Sequence, residues 1–146
     1  VETMSKLYEL KNIVGVKDAT GDLKRVDAQL KSMGKEFIQL TGNDDNALEF
    51  NRRGGVGAIG VTANVAAKLS SDFQKACKND MAEAVKLDKI LQPLHSSLFI
   101  ESNPSPVKYA ASLLKMCSPS VRLPLVEIRD ETKKKVSDAL KVAKLL

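Results

Sequence analysis

The sequence predicts an α/β fold: three parallel strands alternating with helices, followed by a purely helical region. Three observations carry that expectation. Short apolar runs at 13–17, 37–41 and 57–62 recur roughly 20 residues apart, each separated from the next by turn residues and a segment of helical periodicity. That spacing suits right-handed βαβ units and a parallel sheet. From Ala66 onward the apolar residues recur only at helical spacing. The expected division is therefore 1–65 for the strand-containing part and 66–146 for the helical region.

The chain opens in an amphipathic helix with Met4, Leu7 and Leu10 on one face, ending near Lys11. Ile13 to Val16 is β-branched apart from Gly15, so the first strand is expected to be buried on both faces, as parallel strands covered by helices are. Asp22 is a candidate cap for a helix from about Leu23 to Met33, which Gly34 stops. Phe37-Ile38-Gln39-Leu40-Thr41 forms the second strand, and Asp44 or Asp45 is placed to cap a third helix running to about Arg53. Gly54-Gly55 ends that helix, and Gly57 to Thr62 forms the third strand. Val65 to Lys78 reads as one helix. A longer one from Asp80 to about Phe99 aligns Ala84, Leu87, Leu91, Leu94 and Leu98 in a single stripe, with Pro93 inside it. Pro106 opens a helix that turns Val107, Ala110, Ala111 and Leu114 inward. After a Ser- and Pro-rich loop over 118–124, a last helix from about Asp130 buries Val136, Leu140 and Ala143 and exposes its lysines.

Composition narrows the function classes. The chain has 146 residues, 43% apolar and 28% charged, ordinary values for a globular domain. The net charge of +5 is concentrated at the end: Arg129, Lys133, Lys134, Lys135, Lys141 and Lys144 against Asp130, Glu131 and Asp138. With aromatics at 4% and none interleaved with the basic residues, no nucleic-acid surface is predicted. Cys77 and Cys117 form neither a CxxC pair nor part of a histidine cluster, so no metal site or disulfide framework is suggested and a cytoplasmic location is expected. No apolar run is long enough to span a membrane. The absence of an initiator methionine suggests a piece of a longer protein.

Lys17 is the residue that calls for chemistry. It stands at the carboxyl end of the first strand, where parallel α/β folds gather their reactive groups. Held in apolar surroundings it would lose hydration of its charged form, its pKa would fall from the usual value of about 10.4, and the neutral amine could attack a carbonyl to form a Schiff base. The plain alternative is a lysine that reaches solvent or pairs with Asp18. Gly55-Val56-Gly57-Ala58-Ile59-Gly60 matches the dinucleotide pattern G-x-G-x-x-G in letters only, since it follows a helix and opens a strand, the reverse of the context that binds pyrophosphate. His95, the sole histidine, is read as a packing or surface residue. Thr62-Ala63-Asn64 could offer hydroxyl and amide donors at the mouth of the third strand.

Gly15-Val16-Lys17-Asp18-Ala19-Thr20-Gly21-Asp22, Thr41-Gly42-Asn43-Asp44-Asp45 and Val61-Thr62-Ala63-Asn64-Val65 resemble, in order and spacing, the dihydrodipicolinate synthase family. Asn103-Pro104-Ser105-Pro106-Val107-Lys108 and Arg122-Leu123-Pro124-Leu125 extend the likeness over the whole chain. The resemblance implies the carboxyl-terminal part of a (β/α)8 TIM barrel, its last three strands, plus a helical carboxyl-terminal region. It implies that Lys17 forms a Schiff base with pyruvate, that Ile59 contacts pyruvate through main-chain groups, and that Gly42 and Asn43 border the substrate; Asn43 stands where the family often has aspartate. It further implies condensation of pyruvate with aspartate semialdehyde in lysine (diaminopimelate) biosynthesis, with no cofactor, in the cytoplasm, by a homo-oligomer that in the family is a tetramer.

The same resemblance implies what the chain lacks. The family's tyrosine-centred proton relay, its threonine pair, the arginine that receives the second substrate and the lysine feedback site belong to the first five βα units, so a missing amino-terminal half-barrel is an expected partner and the fragment is expected to be inactive alone. Another pyruvate-dependent aldolase or lyase, and a non-catalytic interaction module, are the alternatives.

Overall fold

A computed structural model describes residues 1–146, which fall into two compact units, Val1–Gly60 and Val61–Leu146. The first unit runs α1 (Glu2–Tyr8), β1 (Gly15–Asp18), α2 (Lys24–Met33), β2 (Ile38–Thr41), a 3-10 turn (Asp44–Asn46), α3 (Ala47–Arg52) and β3 (Gly57–Ala58). The strands form one parallel sheet in the order β1-β2-β3, with Lys17 opposite Leu40, Asp18 opposite Thr41, and Thr41 opposite Ala58. This agrees with the predicted α/β class.

The first helix is shorter than expected, stopping at Tyr8 before Leu10, and it lies beside α2 with the hydroxyls of Ser5 and Ser32 2.7 Å apart. Asp22 acts near its expected place, its carboxylate accepting the Lys24 amide at 3.0 Å, although Leu23 is the cap residue. Gly34 ends α2 at φ +81°, a conformation open to glycine and costly for other residues. Gly54, at φ +109°, does the same after α3. Gly55 is glycine for a different reason: a Cβ there would overlap the ring of Phe50, which is buried.

Three expectations are corrected. Asp44 and Asp45 do not cap a third α-helix; they lie inside the 3-10 turn, whose cap residue is Asn43, and α3 starts at Ala47. The third strand covers only Gly57–Ala58, because Gly60 breaks the run and Thr62–Asn64 turns into a 3-10 helix. The strands are not buried on both faces. Alternation puts Val16, Asp18, Gln39 and Thr41 on the helix side, where Gln39 and Thr41 are each 1% exposed and the Gln39 amide donates to Val26 O at 3.3 Å. The opposite side carries Lys17, Ile38, Leu40 and Ile59, with Ile38 43% and Ile59 53% exposed. Three strands supply only one layer of helices and no facing strands, so this apolar side stays open.

The second unit is a short 3-10 turn, Thr62–Asn64, followed by α4 (Ala67–Asn79), α5 (Met81–Ser97), α6 (Ser105–Leu113) and α7 (Asp130–Val142). The α5 stripe is inward as predicted, with Ala84, Leu91, Leu94 and Leu98 fully buried and Leu87 half-buried, and α5 packs against both α4 and α7. Asp80 caps α5, its carboxylate accepting the Glu83 amide at 3.1 Å. Val107, Ala110 and Ala111 of α6, and Val136, Leu140 and Ala143 at α7, are buried as their periodicity predicts. Ahead of α7 the Glu101 carboxylate accepts the Arg129 amide at 3.0 Å.

Candidate functional site

The site that the first unit builds lies at the carboxyl ends of its three strands. Lys17 is the third of the four residues of β1, and because successive strand residues face opposite ways, its side chain leaves the sheet on the open side while those of Val16 and Asp18 enter the helix side. The Lys17 stem runs toward the end of β2. A methyl group built on Gly42 would stand 2.8 Å from Lys17 Cε and 2.7 Å from Ala19 Cβ, closer than carbon atoms pack, so the glycine leaves the space the lysine occupies. Gly42 is also tied to β1 directly, its amide donating to Asp18 O at 2.7 Å.

Asp18 does not pair with Lys17. Its carboxylate, 7% exposed, accepts the Arg25 guanidinium Nε at 2.7 Å, the Thr20 hydroxyl at 2.6 Å and the Thr20 amide at 2.9 Å, with the Gln29 amide at 3.5 Å. Burial works against ionisation of this group, but the hydrogen bonds from Thr20 and Arg25 outweigh it and hold the carboxyl below its ordinary value. The Asp18 partnership in turn raises the Arg25 guanidinium. The sequence reading missed this pair. Its one visible signal was alternation, which sends residues 17 and 18 to opposite faces and so forbids the neighbour pairing.

Thr41 closes the second strand end from below: its hydroxyl donates to Asn46 Oδ1 at 2.9 Å and accepts the Asn43 amide at 3.0 Å. That fixes the start of the 3-10 turn and brings Asn43 beside the neighbouring loop, where a Cβ on Gly21 would lie 3.6 Å from the Asn43 side-chain nitrogen. Ile59 follows β3, and its amide is used by Thr41 O at 2.9 Å. The main-chain group it has to offer a ligand is therefore its carbonyl. Lys17, Gly42 and Asn43 are thus gathered around two adjoining strand-end loops, with Ile59 joined to them through Thr41.

Lys17 itself is exposed, so the apolar enclosure expected of a Schiff-base lysine is not provided by these residues. The reason is the open side of the sheet. Two other sequence candidates take structural parts in the second unit. The Thr62 hydroxyl is fully buried against His95 Nδ1 at 2.7 Å, and the Asn64 amide donates to Val61 O at 2.9 Å. His95, expected to pack or to lie at the surface, is buried. The glycines of the 55–60 stretch follow α3 and enter β3, which leaves no helix start to receive a phosphate. In the second unit the segments 103–108 and 122–125 meet, with Pro104, Lys108, Arg122 and Leu125 lining an open cleft of about 470 Å³. No group of three or more His, Cys, Asp or Glu side chains comes together to hold a metal ion, and no helix is long and apolar enough to cross a membrane.

Comparison with known proteins adds a consistent set of likenesses. The model of the Dihydrodipicolinate synthetase family matches residues 1–143. The 4-hydroxy-tetrahydrodipicolinate synthase of Pelagibacter ubique (strain HTCC1062) is 67% identical over 150 residues, covering 100% of this chain and 51% of the relative. That of Zymomonas mobilis is 55% identical over 148 residues, covering 100% of the chain and 51% of the relative. Among solved structures, dihydrodipicolinate synthase from Aquifex aeolicus superposes with a TM-score of 0.93 at 36% identity, over 99% of this chain and 50% of that one. The chloride-inhibited Acinetobacter baumannii enzyme complexed with pyruvate gives the same TM-score and identity, over 99% and 50%. The chain spans about half the length of each of these proteins.

Proposed function

We propose a function from one premise: the chain belongs to the dihydrodipicolinate synthetase family. It is the carboxyl-terminal half of a 4-hydroxy-tetrahydrodipicolinate synthase, a Schiff-base lyase that condenses pyruvate with aspartate semialdehyde in lysine biosynthesis. In this reading residues 1–65 are the last three strands of a (β/α)8 barrel and 66–146 its closing helix and helical region, and the whole enzyme is a cytoplasmic homo-oligomer.

The observation that carries the proposal is Lys17 at the carboxyl end of β1, its stem accommodated by Gly42 and free of the neighbouring carboxylate. The neutral Lys17 amine attacks the keto carbon of pyruvate, and loss of water gives an iminium. Its positive nitrogen draws electrons from the adjacent methyl group, which surrenders a proton to give an enamine. The enamine carbon then bonds to the aldehyde carbon of the semialdehyde, whose oxygen takes up a proton to become a hydroxyl, and attack of the semialdehyde's own amine on the re-formed iminium carbon returns Lys17 as the free amine. Gly42 and Asn43 border bound pyruvate, and the Ile59 carbonyl contacts it. The open side of the sheet leaves Lys17 exposed to solvent in this chain. The amino-terminal half-barrel supplies both the enclosure and the proton relay, so the chain is incompetent alone.

The test uses a chimera carrying this chain in place of the corresponding half of the Pelagibacter ubique relative. Treatment with pyruvate and borohydride traps the imine as a stable amine, and peptide mapping is expected to find the label on Lys17 and to lose it in Lys17→Arg, whose guanidinium stays protonated. A label on Lys11, Lys24 or Lys108, or one that survives Lys17→Ala, overturns the assignment.

A further inference from the structure

We infer that Asp18 is a positioning residue for Lys17, acting with Arg25 to pin the end of β1 so that the lysine emerges on the open face of the sheet against Gly42. The inference rests on the proposed Schiff-base role of Lys17 and adds to it the part of the chain that aims the amine. A strand's terminal residue has no continuing ladder to fix it, and Lys17 is the last residue but one of β1. Asp18 replaces the lost restraint on three sides. Its main-chain oxygen accepts the Gly42 amide at 2.7 Å and holds the strand end against β2. Its carboxylate accepts Arg25 Nε at 2.7 Å and the Gln29 amide at 3.5 Å, anchoring it to α2 behind the sheet. The same carboxylate takes the Thr20 hydroxyl and amide at 2.6 and 2.9 Å, folding the following loop back so that Ala19 flanks Gly42.

These contacts involve a carboxylate that is 7% exposed, where breaking one partner of an ion pair leaves the other uncompensated. Side-chain alternation converts the anchor on one face into an orientation on the other: a strand end that rotates to release Asp18 also swings Lys17. A misplacement of about 1 Å in a reacting group can cost on the order of 10²-fold in rate, while binding that does not involve the group is little affected.

Two measurements test this, one independent of catalysis. In the 146-residue chain, amide hydrogen exchange is expected to show the Thr20 and Gly42 amides losing protection in Asp18→Asn while amides of α4–α7 are unchanged. In the chimera described above, Asp18→Asn is expected to lower kcat and the rate of borohydride-trapped imine formation per folded molecule tenfold or more, with KM for aspartate semialdehyde, which Lys17 does not bind, within about twofold. Arg25→Gln should lower kcat similarly, and the double variant should be no worse than either alone, since both act through one contact. A merely structural role would instead lower the thermal midpoint and the active fraction together, leaving kcat per folded molecule intact. Arg25→Lys, which retains the charge, covers the case in which Asp18→Asn fails to fold, and is expected to fall between wild type and Arg25→Gln. Unchanged protection and unchanged kcat in these variants overturn the inference, whereas failure of the unmodified chimera to trap pyruvate on Lys17 overturns the functional reading and leaves the exchange result to judge the anchor.

Discussion

Gly42→Ala isolates the space that Lys17 needs. Gly42 has an ordinary backbone, so the substitution introduces no backbone strain and its whole effect is one methyl group. That methyl arrives 2.8 Å from Lys17 Cε, 2.7 Å from Ala19 Cβ and 3.3 Å from Ala19 Cα. Comfortable carbon contacts lie at about 3.5–4.0 Å, so each Cβ-level overlap must be relieved by roughly 1 Å. The lysine stem can swing. Ala19 cannot without moving the backbone, and that backbone is tied through the Thr20 amide to Asp18. We therefore expect a stability loss of about 1–3 kcal/mol, the usual range for overpacking, and a fall in the rate of imine trapping on the order of 10²-fold from the displaced amine. Urea unfolding of the 146-residue chain reads the first, and borohydride trapping in the chimera reads the second. Gly34→Ala is the control: its φ of +81° makes it costly, yet no atom lies within 4 Å of the new methyl, so it should destabilise without slowing trapping in the folded fraction. An unchanged unfolding midpoint together with wild-type trapping in Gly42→Ala would refute the packing argument.

Gly55→Ala is expected to cost about 1–3 kcal/mol in a denaturant titration through its overlap with Phe50, and the additional change Phe50→Leu should recover part of that loss; no recovery would mean that the backbone, not the ring, sets the requirement. The lowered Asp18 carboxyl makes a signed pH prediction: stability from its contacts is fully present above the ordinary aspartate value of 3.8 and is lost as pH falls through the lower folded value. Acid titration of Asp18→Asn followed by circular dichroism should therefore show a shallower loss over that window, and a slope equal to wild type would contradict it. Light scattering of the isolated chain is expected to find self-association, because Ile38 and Ile59 are exposed beside two strand edges that each lack a neighbour, and Ile38→Thr with Ile59→Thr should reduce it. A cooperatively unfolding 15.9 kDa monomer would count against an adhesive sheet face.

The sequence by itself determined the order of elements, the parallel sheet, the buried stripes of α5, α6 and α7, the stop at Gly34 and the place of Lys17 at a strand end. Each of these is written in local chemistry: apolar spacing at the period of the element, glycine where φ turns positive, a lysine where an apolar run breaks. Only the tertiary structure decided which side of the sheet is covered, that the Asp18 carboxylate meets Arg25 of α2, that Gly42 makes room for a side chain 25 positions earlier, and that Thr62 and His95 meet across 33 residues. Periodicity could not reach these because an apolar run looks the same whether both faces are buried or one is left open. Pairings over such separations are fixed by how helices pack on strands, and no local pattern records that packing.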